Sequence, residues 1–246
     1  MTGVLVAAGL VVLAVAISHR RGLGLERELA ITATRATAQL AAVGALVTLV
    51  FEHVGLAAGF VAVMLTAAAL TSGHRLRGIR RPVMIAGAAI VLGAGTGLAP
   101  LLITGAFELA PRELIPVAGI LIGGAMAATS LTGRRLLEDV GESMPAIEAR
   151  LALGVPARTA LQDCDRRAVV TGLIPILDQT KNVGLVTLPG TFVGLVLGGA
   201  SPVEAARVQL IVLLTVIGVQ VVAAVVCAAL VTRACVLPGE RVEPPG

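Results

Sequence analysis

Residues 206–232 read ARVQLIVLLTVIGVQVVAAVVCAALVT, with Arg207 the only charged residue in the run. A soluble helix alternates apolar and polar faces, whereas this run is apolar on every side and long enough to cross a hydrocarbon core of ~30 Å, which takes about 20 residues at the α-helical rise. In lipid an unpaired backbone amide or carbonyl costs several kcal/mol, so such a run is read as a helix that closes its own hydrogen bonds. Working outward, similar runs occupy about 3–17, 30–51, 54–72, 83–105, 114–132 and 183–200. The expected fold is therefore all-α: a polytopic membrane bundle of about seven transmembrane helices.

Composition agrees. Of the 246 residues, 57% are hydrophobic and 14% charged, and mean hydropathy is +0.95. A soluble domain of this size needs a more polar surface, so the solvent is largely lipid. The first run has no Lys or Arg before it and is read as an uncleaved helix, not a signal peptide. Residues 1–233 are expected to form one transmembrane domain with a segment 134–182 on the basic side, followed by a tail at 234–246.

The net charge of +4 is spread between apolar runs and forms no continuous patch, which speaks against a nucleic-acid partner. Of 19 Lys and Arg, 16 fall in residues 19–28, 73–82, 134–182 and the tail from Arg233, the opposite side holds only Arg112 and Arg207, and Arg35 lies within a helix. The positive-inside rule then places the N-terminus outside and the C-terminus in the cytoplasm. Trp and Tyr are absent, so arginines must anchor the helix ends. The apolar stretch 168–177 contains Pro175 and is too short to span; it is expected to be interfacial or buried.

Polar residues at membrane depth are the candidates for function. Glu28, Thr32, Arg35 and Gln39 fall within about 60° of one another on a helix, with Arg35 and Gln39 as pathway candidates and a buried structural pair as the alternative. Asp178, Lys181 and Asn182 lie in the segment Leu177-Asp-Gln-Thr-Lys-Asn182, which holds the only Lys and the only Asn. They are gate or pathway candidates, or an acid and a base neutralising each other. Glu52 with His53, and Glu108 with Glu113, are too scattered to define a metal site. Gly119 with Gly123, and Gly190, Gly194 and Gly198, recur every four residues and are expected at helix packing or gating faces.

No phosphate-binding Gly-x4-Gly-Lys-Ser/Thr loop, zincin pair, nucleophile elbow or heme motif is present, so no enzymatic centre is expected on this chain. Cys164, Cys227 and Cys235 form no CxxC pair. In the segment Glu148-Ala-Arg-Leu-Ala-Leu-Gly154-Val-Pro156-Ala-Arg158, Gly154 fits a helix C-cap and Pro156 the start of the next helix, a compact elbow.

The run Glu148-Ala-Arg-Leu-Ala-Leu-Gly154 resembles the coupling loop by which ABC permeases dock on their ATPases. Ile115-Pro-Val-Ala-Gly-Ile120, Leu173-Ile-Pro-Ile-Leu-Asp178, Lys181-Asn-Val-Gly-Leu-Val-Thr-Leu-Pro-Gly190 and Ser201-Pro-Val-Glu-Ala205 are similar to iron-export ABC permeases of the FetB type, a family that includes plant aluminium-tolerance permeases. Ser18-His19 and Arg35 through Leu40 extend the likeness, which covers roughly 5–233. It implies a permease subunit in the cell membrane, with a second permease copy, and with ATP and Mg held by a separate ATPase. The substrate would be iron or another metal, exported by alternating access. Glu148, Leu151, Gly154 and Arg158 would form the ATPase-docking elbow. A secondary transporter or channel without an ATPase is the alternative; inverted repeats, frequent in that class, are not seen here.

Overall fold

The computed structural model describes residues 2–52, 54–107 and 110–243. His53, Glu108 and the side chain of Glu52 lie outside the described residues. The chain divides into two compact units, residues 1–56 and 57–246.

The first unit is a helical hairpin of α1 (Thr2–Arg21) and α2 (Glu26–Glu52). Among the described residues of α1 only Ser18 is buried, and Val4, Leu5, Val6, Leu10 and Val12 are all exposed. A helix apolar all round and left exposed within its own hairpin suits lipid or a protein neighbour. Gly22, at φ 64°, ends α1, with its N–H donating to the His19 carbonyl and that of Leu23 to the Ser18 carbonyl. Ser18 Oγ donates to Glu26 Oε1 at 2.9 Å and accepts from the Leu25 N–H at 3.2 Å. The backbone N–H of Glu26 and the Ser18 hydroxyl hold the Glu26 carboxyl below the usual carboxylate range.

The second unit holds most of α3 (Val54–Arg75), then α4 (Pro82–Ile103), α5 (Pro111–Ala152), α6 (Ala157–Ala160), α7 (Gln162–Lys181), α8 (Gly190–Leu197) and α9 (Pro202–Cys235). A two-residue hairpin, β1 (Val236–Leu237) with β2 (Arg241–Val242), closes it. Two cores follow the charge pattern. In the apolar half, Ile90, Leu121, Ala125, Val219 and Ala223 pack together. In the charged half, Leu76, Leu136, Val140, Ile147, Leu161 and Val231 do so.

Small residues and short polar bonds bring the helices together. An added Cβ at Gly93 would meet Ala223, and one at Gly97 would meet Val219 and Thr215, so α4 and α9 touch almost backbone to backbone. Lipid tails are as apolar as the side chains, so close van der Waals approach replaces the hydrophobic drive. Ser72 Oγ lies 2.8 Å from Ser130 Oγ and clasps α3 to α5 in the interior.

Among the described residues, α1, α3, α4, α5 and α9 are long and apolar enough to cross a membrane. The run 30–51 falls within α2, and the side chains of residues 46–49 and 51–52 there lie outside the described residues. The run 183–200, expected as a continuous sixth crossing, is not a single helix. Past Lys181 the chain turns: the Asn182 carbonyl accepts from the N–H groups of Val186 and Thr187, and Gly184 takes φ 85°. Pro189 then caps the eight-residue α8, which spans only about 12 Å at 1.5 Å per residue. Hydropathy counts apolar side chains and is blind to these backbone breaks.

The stretch 168–177 belongs to α7, which is helical through Pro175 and buries Ala168, Gly172 and Ile176. It runs antiparallel to α5. Asp163 meets Arg150, Cys164 Sγ reaches the Asp139 carbonyl, Gly172 abuts Thr132, and Ile176 joins the core of Leu121 and Ala125. With equal rise on both helices, Lys181 at the end of α7 lies level with Gly123, the middle of the apolar run 114–132 on α5.

Candidate functional site

The elbow is a capped helix end. The Gly154 N–H donates to the Leu151 carbonyl at 2.9 Å and the Val155 N–H to the Arg150 carbonyl at 3.1 Å, the paired bonds of a Schellman motif. Gly154 is at φ 82°, a left-handed backbone in which a Cβ costs about 1–2 kcal/mol. Val155 packs on the core of the charged half, as does Leu151. Leu151 is therefore half-buried, while Glu148, Gly154 and Arg158 are exposed. Sequence reasoning missed Leu153, an apolar side chain 84% exposed between them.

Two ties hold the elbow. Arg150 Nη2 lies 2.9 Å from Asp163 Oδ2, and its Nη1 donates to the Ala160 carbonyl at 3.3 Å. From the C-terminal hairpin, Glu240 Oε2 accepts the Ala157 N–H at 2.6 Å and so caps the start of α6. The tail thus straps the elbow, a contact 83 residues apart in sequence that no local pattern reveals. Glu240→Ala is expected to cost about 1 kcal/mol of local stability, as for lost helix caps. Hydrogen exchange of residues 154–160 should speed up, while the amides of α9 stay protected.

The second group sits where α7 ends. Lys181 Nζ lies 3.5 Å from Asp178 Oδ1, and Asn182 Nδ2 donates to the Asp178 carbonyl at 2.8 Å. All three side chains are exposed, as are Gln179, Leu185, Val186 and Leu188. An acid, a base and two amides therefore lie uncovered by their own chain at the depth of the apolar middle of α5.

In the first unit, Arg35 and Gln39 are exposed on α2. Between α1 and α2 a groove of about 570 Å³ takes Glu28 and Thr32 among Val11, Leu25, Leu29 and Ala36. Arg35 and Gln39 are not in its lining. Of the small-residue positions, Gly119 lies against Met64. Around Gly123, Gly190 and Gly194 there is open space, and Gly198 meets only the carbonyls of its own helix.

A further residue absent from the sequence reading is Asp139, 3% exposed. Its carboxylate is held by Arg135 at 2.9 Å on α5 and by Arg167 at 3.4 Å on α7. The periodicity of α5 hints at it, since Asp139 falls among Leu136, Leu137 and Val140 in an apolar stripe. Among the described residues no group of three or more His, Cys, Asp or Glu is placed to hold a metal ion.

A family model described as "Uncharacterised protein family (UPF0014)" matches residues 1–236, almost the whole described bundle. The chain belongs to the UPF0014 family. This UPF0014 chain is 38% identical over 221 residues to the UPF0014 membrane protein STAR2 of Oryza sativa subsp. japonica, covering 89% of this chain and 78% of that protein. It is 36% identical over 223 residues to Protein ALUMINUM SENSITIVE 3 of Arabidopsis thaliana, covering 89% and 82%. It is 35% identical over 205 residues to the Probable iron export permease protein FetB of Escherichia coli (strain K12), covering 82% and 79%. No solved structure matches it. With these relatives and its apolar helices, the UPF0014 chain is a polytopic helical membrane protein.

Proposed function

We propose that this chain is the permease subunit of an ABC transporter, exporting iron or another metal by alternating access driven by ATP hydrolysis on a separate ATPase. The observation that carries this reading is the direct mechanical line from elbow to break. The exposed tip at Glu148, Leu153, Gly154 and Arg158 is capped, and α6 and α7 lead from Arg158 through α5 contacts to Asp178, Lys181 and Asn182. The name of the relative FetB supports the export of iron, and STAR2 and ALUMINUM SENSITIVE 3 extend the likeness to proteins of Oryza sativa and Arabidopsis thaliana.

Depth supports a pathway role for the break. A charged group at the bilayer centre costs a few kcal/mol unless it is paired or wetted. Non-helical backbone at that depth is tolerated only inside protein or along a water-filled cavity. The segment 178–188 therefore faces a second permease copy across the path, and the open Gly190 and Gly194 face of α8 gives that copy room to approach. Discontinuous helices with polar ends near the midplane are a recurring way of handling ions in transporters. Arg35 and Gln39 are secondary pathway candidates on the first unit. In this reading the basic segments are cytoplasmic, the N-terminus is outside, and ATP and Mg are held by the partner. ATP-driven approach of the two ATPases biases two arrangements of the bundle.

The test is to purify the tagged chain gently from its cell membrane. A P-loop ATPase in equal amount is expected, and the Glu148→Lys, Leu153→Asp double variant should recover roughly a tenth as much, the equivalent of ~1.4 kcal/mol. Reproducible absence of an ATPase from a folded preparation would replace this reading with a secondary transporter or channel.

A further inference from the structure

On the outer face of α5 and α7 a cleft of about 410 Å³ is lined by Arg135, Asp163, Arg166, Arg167, Val170 and Thr171. Its acids are already engaged. Asp163 is turned to Arg150 at 2.9 Å, and the buried Asp139 is shared by Arg135 and Arg167. Glu138 lies 2.8 Å from Arg134 and 3.8 Å from Arg135. Arg166 is exposed and has no ion pair among the described residues. One whole positive charge and the excess of two arginines over one aspartate thus converge on the cleft.

Its height on the bundle gives the ligand class. Arg135 comes three residues after the apolar run 114–132 of α5, at the level where hydrocarbon gives way to headgroups. Below Arg166 on the same face of α7, Val170, Ile174 and Leu177 follow at helical spacing and are 56%, 47% and 44% exposed. From Val170 to Leu177 this strip descends about 10 Å toward the middle of the bundle. A cationic cleft above an exposed apolar strip has the chemistry and length of a phospholipid lying along the helix. A second copy meeting this patch by two-fold symmetry would oppose arginine to arginine, and a free anion would leave the strip uncovered. Basic pockets between helices at a membrane surface suit anionic headgroups.

We propose that Arg135, Arg166 and Arg167 bind the phosphate of an anionic phospholipid in the leaflet on the basic side, with an acyl chain against Val170, Ile174 and Leu177. The bound lipid clamps α7 to α5 along the stretch that leads from the elbow to the break. Because the site depends only on membrane insertion and on the α5–α7 pair, it stands whether or not an ATPase is found.

The test uses the full-length chain in neutral detergent, titrated with phosphatidylglycerol, phosphatidylcholine or inorganic phosphate, and read by native mass spectrometry and by Tm. Phosphatidylglycerol is expected to bind and to raise Tm, while phosphatidylcholine and phosphate do neither. Arg166→Glu should weaken phosphatidylglycerol binding roughly tenfold or more, on the scale of one kcal/mol per basic residue near an anionic surface. Arg233→Glu makes the same charge change outside the cleft and should leave binding within about twofold. Equal loss in both variants, equal binding of phosphatidylcholine, or binding of inorganic phosphate as tight as that of the lipid would each overturn the proposal. Should Arg166→Glu fail to fold, Val170→Asp supplies the same comparison.

Discussion

Gly172→Val is expected to destabilise the protein by about 3 kcal/mol, the upper range for overpacking a tight core. A Cβ at position 172 would fall on the Thr132 hydroxyl and within 3.2 Å of the Thr132 Cα, so relief requires moving α7 away from α5. Both residues are buried, and turning the Thr132 hydroxyl aside would still leave its Cβ and backbone Cα against the new group. The measurement is Tm in detergent. A drop of several degrees is expected for Gly172→Val, with Gly95→Val, where there is open space, close to the parent. Equal Tm values for the two variants would show that the α5–α7 contact is looser than described. On the proposed reading the consequence reaches function, because α7 joins the elbow to the polar break.

On the proposed reading of a metal-exporting permease with a separate ATPase, Asp178→Ala is expected to reduce metal efflux from reconstituted vesicles by roughly tenfold, equivalent to ~1.4 kcal/mol on the barrier, while ATP hydrolysis persists. In the wetted path proposed above, its pair with Lys181 contributes ~0–1 kcal/mol to stability and Lys181 stays solvated without it, so folding should survive the change. Two roles make opposite demands on the double variant. If the pair only neutralises charge in the membrane, Asp178→Ala with Lys181→Ala removes both charges together and flux returns. If Asp178 contacts the substrate, the double variant stays slow. Restored flux would therefore sink the pathway role while leaving the break itself intact.

Much of the fold was legible because lipid imposes a one-dimensional rule. The runs at 3–17, 54–72, 83–105, 114–132 and 206–232 fall within helices that are long and apolar enough to span, since each must close its own backbone bonds. The elbow was legible for a local reason: Gly154 after an apolar-periodic run, followed by Pro156, is a capping pattern that needs no tertiary partner. Run 183–200 was misjudged because Gly184 and Pro189 break the backbone inside an apolar stretch, and hydropathy averages over such breaks.

By itself, then, the sequence determined the solvent, the all-helical class, the charge asymmetry and the elbow, all properties of short windows and of side-chain chemistry. Only the tertiary structure decided that α7 returns along α5, since Gly172 against Thr132 and Arg167 against Asp139 pair residues 40 and 28 apart. That return brings Asp178, Lys181 and Asn182 level with the apolar middle of α5 instead of leaving them in a surface loop. It also gathers Arg135, Arg166 and Arg167 around one cleft, and lets Glu240 cap α6 from the far end of the chain. Depth and juxtaposition depend on which helices pack together, and the free energy of that packing is spread over many small contacts that no short window contains.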